Sequence, residues 1–227
     1  TTIAPPHPSR YGLQPINRNS FQSDWTMATH DQRLTEFIHA LEAAAKAATD
    51  VLDESGKRKA TVRAVFAELD GAWAKESVEP AELDACRHLS AALLNAEHGP
   101  EPVANLTRAF EALAPALRWR LRPPDAGEDP GFRGGHANAD IIGPAGLGRH
   151  EDIVVGVSLM APGVTYPDHD HPPEEIYVVM SEGDWFNESD GWYTPGIGQV
   201  VYHQSSIVHA MRSGTEPLLS VWCLKRP

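Results

Sequence analysis

Apolar positions recur along this chain with two different periods. Between residues 27 and 118 the spacing is helical: Leu34, Phe37, Ile38, Leu41 and Ala45 share one face, and Val62, Val65, Phe66, Leu69 and Trp73 repeat the stripe. Leu83, Cys86, Leu89 and Leu93 form a third, stopped by Gly99-Pro100, and Val103, Leu106, Phe110 and Leu113 a fourth, broken near Pro115. "SGK" at 55–57 and "KESVEP" at 75–80 read as the intervening turns. Beyond residue 150 the period falls to two. "IVVGVSLMAP", "EIYVVMSE", "DWFNE", "GWYTP", "GQVVYHQ", "HAMRS" and "PLLSVWCL" predict short strands separated by Gly, Pro, Asn and Asp turns. Many short, evenly spaced strands belong to a sandwich or barrel.

Residues 123–150 are rich in Gly and Pro and read as a loop-rich change of regime. Their glycines do not open a helix after a strand, which argues against a phosphate-binding loop. His136 and His150 lie here, within possible reach of a site but with no motif around them. The expected organisation is an α+β chain: an extended arm over 1–26, a helical region over 27–122, and a β-barrel over 123–227. The helical stripes must be buried against the outside of the barrel or across a two-fold interface.

Composition narrows the function. The apolar fraction of 41% supports a real core, and no apolar run approaches the ~18 residues of a membrane span. The opening residues lack the charged and apolar regions of a signal peptide; the missing initiator Met points to trimming or to a chain boundary. A net charge of −12 argues against nucleic acid and anionic membranes as partners. Two cysteines, Cys86 and Cys223, sit in apolar periodic contexts and read as reduced core residues of a cytoplasmic protein.

Chemistry concentrates in "YPDHDHPPEEIYVVMSEGDW", residues 166–185. Strand alternation puts His169 and His171 on one face, and Glu175 and Tyr177 on one face of the next strand, with Pro172-Pro173 breaking the ladder between them. Glu174 then points the opposite way. Two imidazoles and a carboxylate suit borderline divalent metals, and such groups must be paired or metallated when buried. His209 adds a third imidazole from a later strand. His203, the neighbour of Tyr202, reads as a non-ligand. His39 and His88 are isolated within helices.

Gly163, His169-x-His171, Glu175 and Gly183 resemble the first cupin motif, and Gly198 with His209 resembles the second. Gln204, Ser206 and Ser213 stand where that motif usually carries Pro, Gly and Asn. The resemblance covers roughly residues 150–224 and implies a double-stranded β-helix (jelly-roll) barrel. It also implies one divalent transition metal (Fe, Mn, Zn, Co or Ni) on His169, His171, Glu175 and His209. The run "HxHPPEEIYVV", with Tyr166 upstream, Trp185 and Trp192 downstream and a helical extension before it, looks like the bacterial cupin-type dimethylsulfoniopropionate (DMSP) lyases. That resemblance implies β-elimination of dimethyl sulfide from DMSP to leave acrylate. It assigns Tyr177 as general base and Tyr166 to binding or proton transfer, and it is compatible with a homodimer.

The implied substrate is a small zwitterion, a sulfonium at one end and a carboxylate at the other. Aromatic faces attract such a cation, so Trp185, Trp192, Tyr202 and Trp222 are the candidate substrate-binding rings, together with Tyr166. An Fe(II) dioxygenase uses a compatible ligand set and is the alternative reading, ahead of a cupin that binds a small molecule without turnover.

Overall fold

A computed structural model describes residues 30–50, 56–70, 73–124 and 129–226. The arm expected over 1–26 lies outside the described residues. The helices are α1 (His30–Asp50), α2 (Lys57–Leu69), α3 (Leu89–Glu97), α4 (Glu101–Leu113) and a short α5 (Pro130–Gly135). The strands are β1 (Ala74–Lys75), β2 (His136–Ile142), β3 (Gly148–Arg149), β4 (Ile153–Met160), β5 (Thr165–His169), β6 (Glu174–Val179), β7 (Asp184–Asn187), β8 (Gly191–Tyr193), β9 (Val200–His203), β10 (His209–Arg212) and β11 (Leu218–Lys225). They form two sheets, one ordered β1-β3-β2-β4-β11-β6-β9 and one ordered β5-β10-β7-β8.

The four helical stripes read from the sequence form helices, except that α2 ends at Leu69 and leaves Trp73, the last residue of the second stripe, outside it. Leu34, Phe37, Leu41 and Ala45 of α1 are buried, as are Leu106, Phe110 and Leu113 of α4, with Phe37 and Phe110 rings 6.0 Å apart. The third stripe begins as a 3₁₀ turn at Asp84–His88 before becoming α3. Helices α1, α2 and α3 lie on one face of the larger sheet, touching β4, β6, β9 and β11. Ile176, Val178, Val155, Val157, Leu219, Val221 and Cys223 face them and complete a single core with the helical stripes. The alternate residues of the same strands, among them Tyr177, Val179, Met160, Val201 and Trp222, face the barrel interior and join Phe132, Trp185 and Met211 in a second core. The larger sheet is therefore buried on both sides, by the helices outside and by the barrel interior within.

One stretch departs from the sequence reading. Residues 136–142, expected as loop, are the fully buried strand β2, paired antiparallel with β4. Its alternation is clean but runs against habit. Ala137, Ala139 and Ile141 face the helices, while His136, Asn138 and Asp140 are turned into the barrel. A strand whose inward face is polar lacks the apolar signature of a core strand, and the surrounding glycines hide it further. Ahead of it, Arg118 and Arg120 make isolated bridges to Ala81 and Asn138, so the 117–122 segment also adds to the barrel rim.

Candidate active site

Two hairpin-like pairings bring the histidines together. β5 and β10 are antiparallel with His169 opposite His209, and β6 and β9 are antiparallel with Glu175 opposite His203. Ring centroids of His169 and His209 lie 4.1 Å apart, and those of His171 and His209 5.0 Å apart. One nitrogen from each of His169, His171 and His209 falls within 4.8 Å of the others. Oε2 of the buried Glu175 is 3.1 Å from Nε2 of both His171 and His209.

Backbone carbonyls set which nitrogen of each ring is available. Nδ1 of His169, His171 and His209 lies 2.9, 3.0 and 2.9 Å from the carbonyl oxygens of Pro167, Pro173 and Ile207. A neutral imidazole that donates Nδ1–H to a carbonyl keeps its lone pair on Nε2. Three lone pairs and a carboxylate oxygen aimed at one another repel unless a cation stands among them or a ring is protonated. The buried Nε2 of His209 indeed lies 3.1 Å from Glu175 without hydrogen-bond geometry. The set fits a divalent metal of the imidazole- and carboxylate-accepting kind.

The electrostatics agree. Burial and the neighbouring His209 hold His169 down at about 4. Burial alone would raise Glu175, but the hydrogen bond with His171 and the close approach of the His209 ring hold its carboxyl far below the usual range. His171 is raised, because its hydrogen bond and charge interaction with Glu175 outweigh burial. Tyr177 is pushed well above the ordinary phenol value by burial, by Glu175 and by Tyr166.

A cavity of about 330 Å³ opens onto this cluster, lined by His169, His171, Glu175, Tyr166, Tyr177 and Trp222. Arg120, Arg122, Pro123, Asn138, Ser158, Met211 and Leu224 complete its wall. The arginines escaped the sequence reading, although the Leu117/Trp119 against Arg118/Arg120/Arg122 alternation was there to read. Arg120 is anchored by Asp140 at 2.5 Å, and the Arg122 guanidinium lies 5.4 Å from the centre of the Tyr166 ring.

The expected aromatic rings divide sharply. Trp222 and Tyr166 line the cavity. Trp185 is fully buried behind Tyr177, ring centroids 6.2 Å apart. Trp192 and Tyr202 are placed elsewhere. Trp192 is 40% exposed against Phe186 and the Arg212 guanidinium. Tyr202 faces the helices, donating its hydroxyl to Glu174 at 2.8 Å, while Thr61 of α2 donates to the same carboxylate. Strand parity decides this: Tyr202 and His203 are neighbours, and His203 takes the inward position, its ring 4.3 Å from that of His209. His136 stacks on Phe132 at 3.8 Å beside Tyr166, and His150 caps a turn through Asp152 and Ile153 N–H groups.

Trp222 fits only because Gly156 stands opposite it on β4. A Cβ there would lie 2.2 Å from the indole Cζ2.

A helix-backed double-stranded β-helix with three histidines and a glutamate in its mouth defines a cupin. The family model for dimethylsulfoniopropionate lyases matches residues 57–220, and the chain belongs to that family. It is 29% identical over 119 residues to dimethylsulfoniopropionate lyase DddQ of Ruegeria pomeroyi. That match takes in 52% of this chain and 59% of the relative's length, so the chain spans little over half of it. The fold is similar to that of a chain solved among the DMSP lyases RdDddP and RnDddQII, with a TM-score of 0.69, 23% identity and coverage of 87% of this chain and 94% of that one. It is also similar to the solved DddQ of Ruegeria pomeroyi, with a TM-score of 0.62, 24% identity and coverage of 84% and 91%.

Proposed function

We propose that the chain is a metal-dependent carbon–sulfur lyase that cleaves DMSP to dimethyl sulfide and acrylate, with Tyr177 as general base. One observation carries this reading. Glu175, which closes the histidine cluster, and Tyr177 share the inward face of β6 and line the same cavity. A base two residues from a cation site has the means to be ionised at neutral pH, which a free phenol with a pKa near ~10 lacks.

His169, His171, Glu175 and His209 would hold the metal. When bound, it supplies positive charge that stabilises the negative charge growing on the substrate carboxylate and favours ionised Tyr177. The remaining work falls to the chain. The α-carbon proton passes to the Tyr177 oxygen, the C–S electron pair departs with sulfur, and the new C=C bond is that of acrylate. Sulfur leaves as a neutral sulfide, so no acid has to protonate it. The indole face of Trp222 receives the sulfonium end, a contact worth about 0.5–2 kcal/mol. Two free cysteines accord with a cytoplasmic location, and among the described residues no helix is long and apolar enough to cross a membrane.

Headspace dimethyl sulfide over purified protein and DMSP tests the proposal, with metal content measured for wild type and Tyr177→Phe. Gas from wild type and none from a Tyr177→Phe variant of equal metal content is the expected result. No gas from metal-loaded wild type refutes the substrate, and oxygen uptake without sulfide release would point to a dioxygenase instead.

A further inference from the structure

A chain of hydrogen bonds runs through the barrel wall that lines the cavity and ends on Tyr166. Trp222 Nε1 donates to Ser158 Oγ at 3.1 Å. Ser158 Oγ donates to Asn138 Oδ1 at 2.9 Å. Asn138 Nδ2 donates to the Tyr166 hydroxyl at 3.3 Å. All four side chains are buried, and they come from β11, β4, β2 and β5.

The polarity of this chain has a physical cause. An indole N–H can only donate, so Ser158 begins as an acceptor. Its own hydroxyl hydrogen must then go to an acceptor, and among the described residues Asn138 Oδ1 is the one it reaches. That fixes the Asn138 amide with Nδ2 toward Tyr166. In the reversed amide setting the Ser158 hydroxyl would face the Asn138 N–H groups instead of an acceptor and lose this hydrogen bond, a mismatch that native interiors avoid. Tyr166 therefore accepts from the wall. Among the described residues no protein acceptor meets its own hydroxyl hydrogen, and Tyr166 lines the cavity.

From this we infer that Trp222, Ser158 and Asn138 are positioning residues that hold Tyr166 as a hydrogen-bond donor into the cavity, aimed at the substrate carboxylate. The two tyrosines then divide the work: Tyr177 takes the proton, and Tyr166 offers one that follows the negative charge as it builds. This assignment rests on the proposed lyase reading, but the direction of the chain can be tested without it.

The decisive variant is Asn138→Asp. A carboxylate at this position can only accept, so it draws the Tyr166 hydrogen out of the cavity. Resonance Raman of the tyrosine ring doublet, isolated by subtracting Tyr166→Phe, reads whether that hydroxyl donates or accepts. Asn138→Asp is expected to shift the Tyr166 doublet to the donor form, and an unshifted doublet overturns the inference, because Tyr166 would already be donating to the wall. Ser158→Ala, which unlocks the amide, is the second variant should Asn138→Asp fold poorly, and it is expected to shift the doublet part of the way; no shift there overturns the inference equally. In the lyase assay, Tyr166→Phe and Asn138→Asp should each lower kcat by about a hundredfold at unchanged metal content. The double variant should be no slower than Tyr166→Phe. Additive losses would refute the relay. A wild type that releases no dimethyl sulfide refutes the lyase reading and leaves the Raman result to judge the wall.

Discussion

Gly156→Ala makes the packing around Trp222 measurable. The added methyl would lie 2.2, 2.4 and 2.7 Å from three atoms of the indole, all in the rigid ring rather than in a flexible tail. Ordinary carbon contacts sit at about 3.5–4.0 Å, so one partner must move by roughly 1.5 Å. Both are held by pairing between β4 and β11, where Gly156 is the direct neighbour of Trp222. Overpacking of this kind costs about 1–3 kcal/mol. Displacing the indole also breaks its bond to Ser158, adding about 0.5–1.5 kcal/mol. The total is about 2–4 kcal/mol, which for a domain of this size lowers Tm by roughly 5–15 °C. Calorimetry of Gly156→Ala beside Gly134→Ala, whose added methyl meets nothing within 4 Å, checks this. A Gly156→Ala protein that melts within about 1 °C of wild type would show the ring to be loose, against the dense packing expected of an interior.

Other measurements probe separate parts of the molecule. Metal present at a hundred times its dissociation constant should stabilise the fold by about 2.7 kcal/mol, so chelation should lower Tm and reloading restore it; an identical Tm in both states would argue against a site in the folded chain. Ser206, at φ 59, is a non-glycine residue in the left-handed region, so Ser206→Gly should raise stability by up to about 1 kcal/mol in urea unfolding. Trp192→Ala should leave kcat/KM within about twofold because its ring is outside the cavity, whereas Trp222→Ala should raise KM by about tenfold; Michaelis kinetics separates them. Burial raises the Cys223 thiol far above its ordinary value and Cys86 less so, hence native protein should react slowly with thiol reagents and show two thiols only on unfolding.

Much of this architecture was legible in the order of residues. The helices of α1, α2 and α4 follow from apolar spacing alone, since one face of each must be buried. The histidine–glutamate cluster follows from His-x-His before a strand with Glu175 and Tyr177 on one side. What escaped was polar by design. β2 places His136, Asn138 and Asp140 inward, so the rule that inward means apolar misreads it as loop. The aromatic rings escaped for another reason: strand parity gives two faces, but only tertiary packing says which is the barrel interior, and it turned Tyr202 toward the helices and left Trp192 at the surface. Arg120 and Arg122 needed the pairing of a short segment with β2 to be seen at the rim.

The two faces of β6 carry a consequence for how this chain can vary. Glu174 accepts from Thr61 and Tyr202 on the helical side, while Glu175, one residue on, closes the histidine cluster within the barrel. Inserting or deleting one residue in this strand would exchange the two glutamates and swing Tyr177 out among the helices. Chain length between Pro173 and Val179 is thus the invariant quantity, more than the identity of any single apolar residue there, and comparison with distant homologues should show gaps in the exposed turn at 188–190 before any in this hexapeptide.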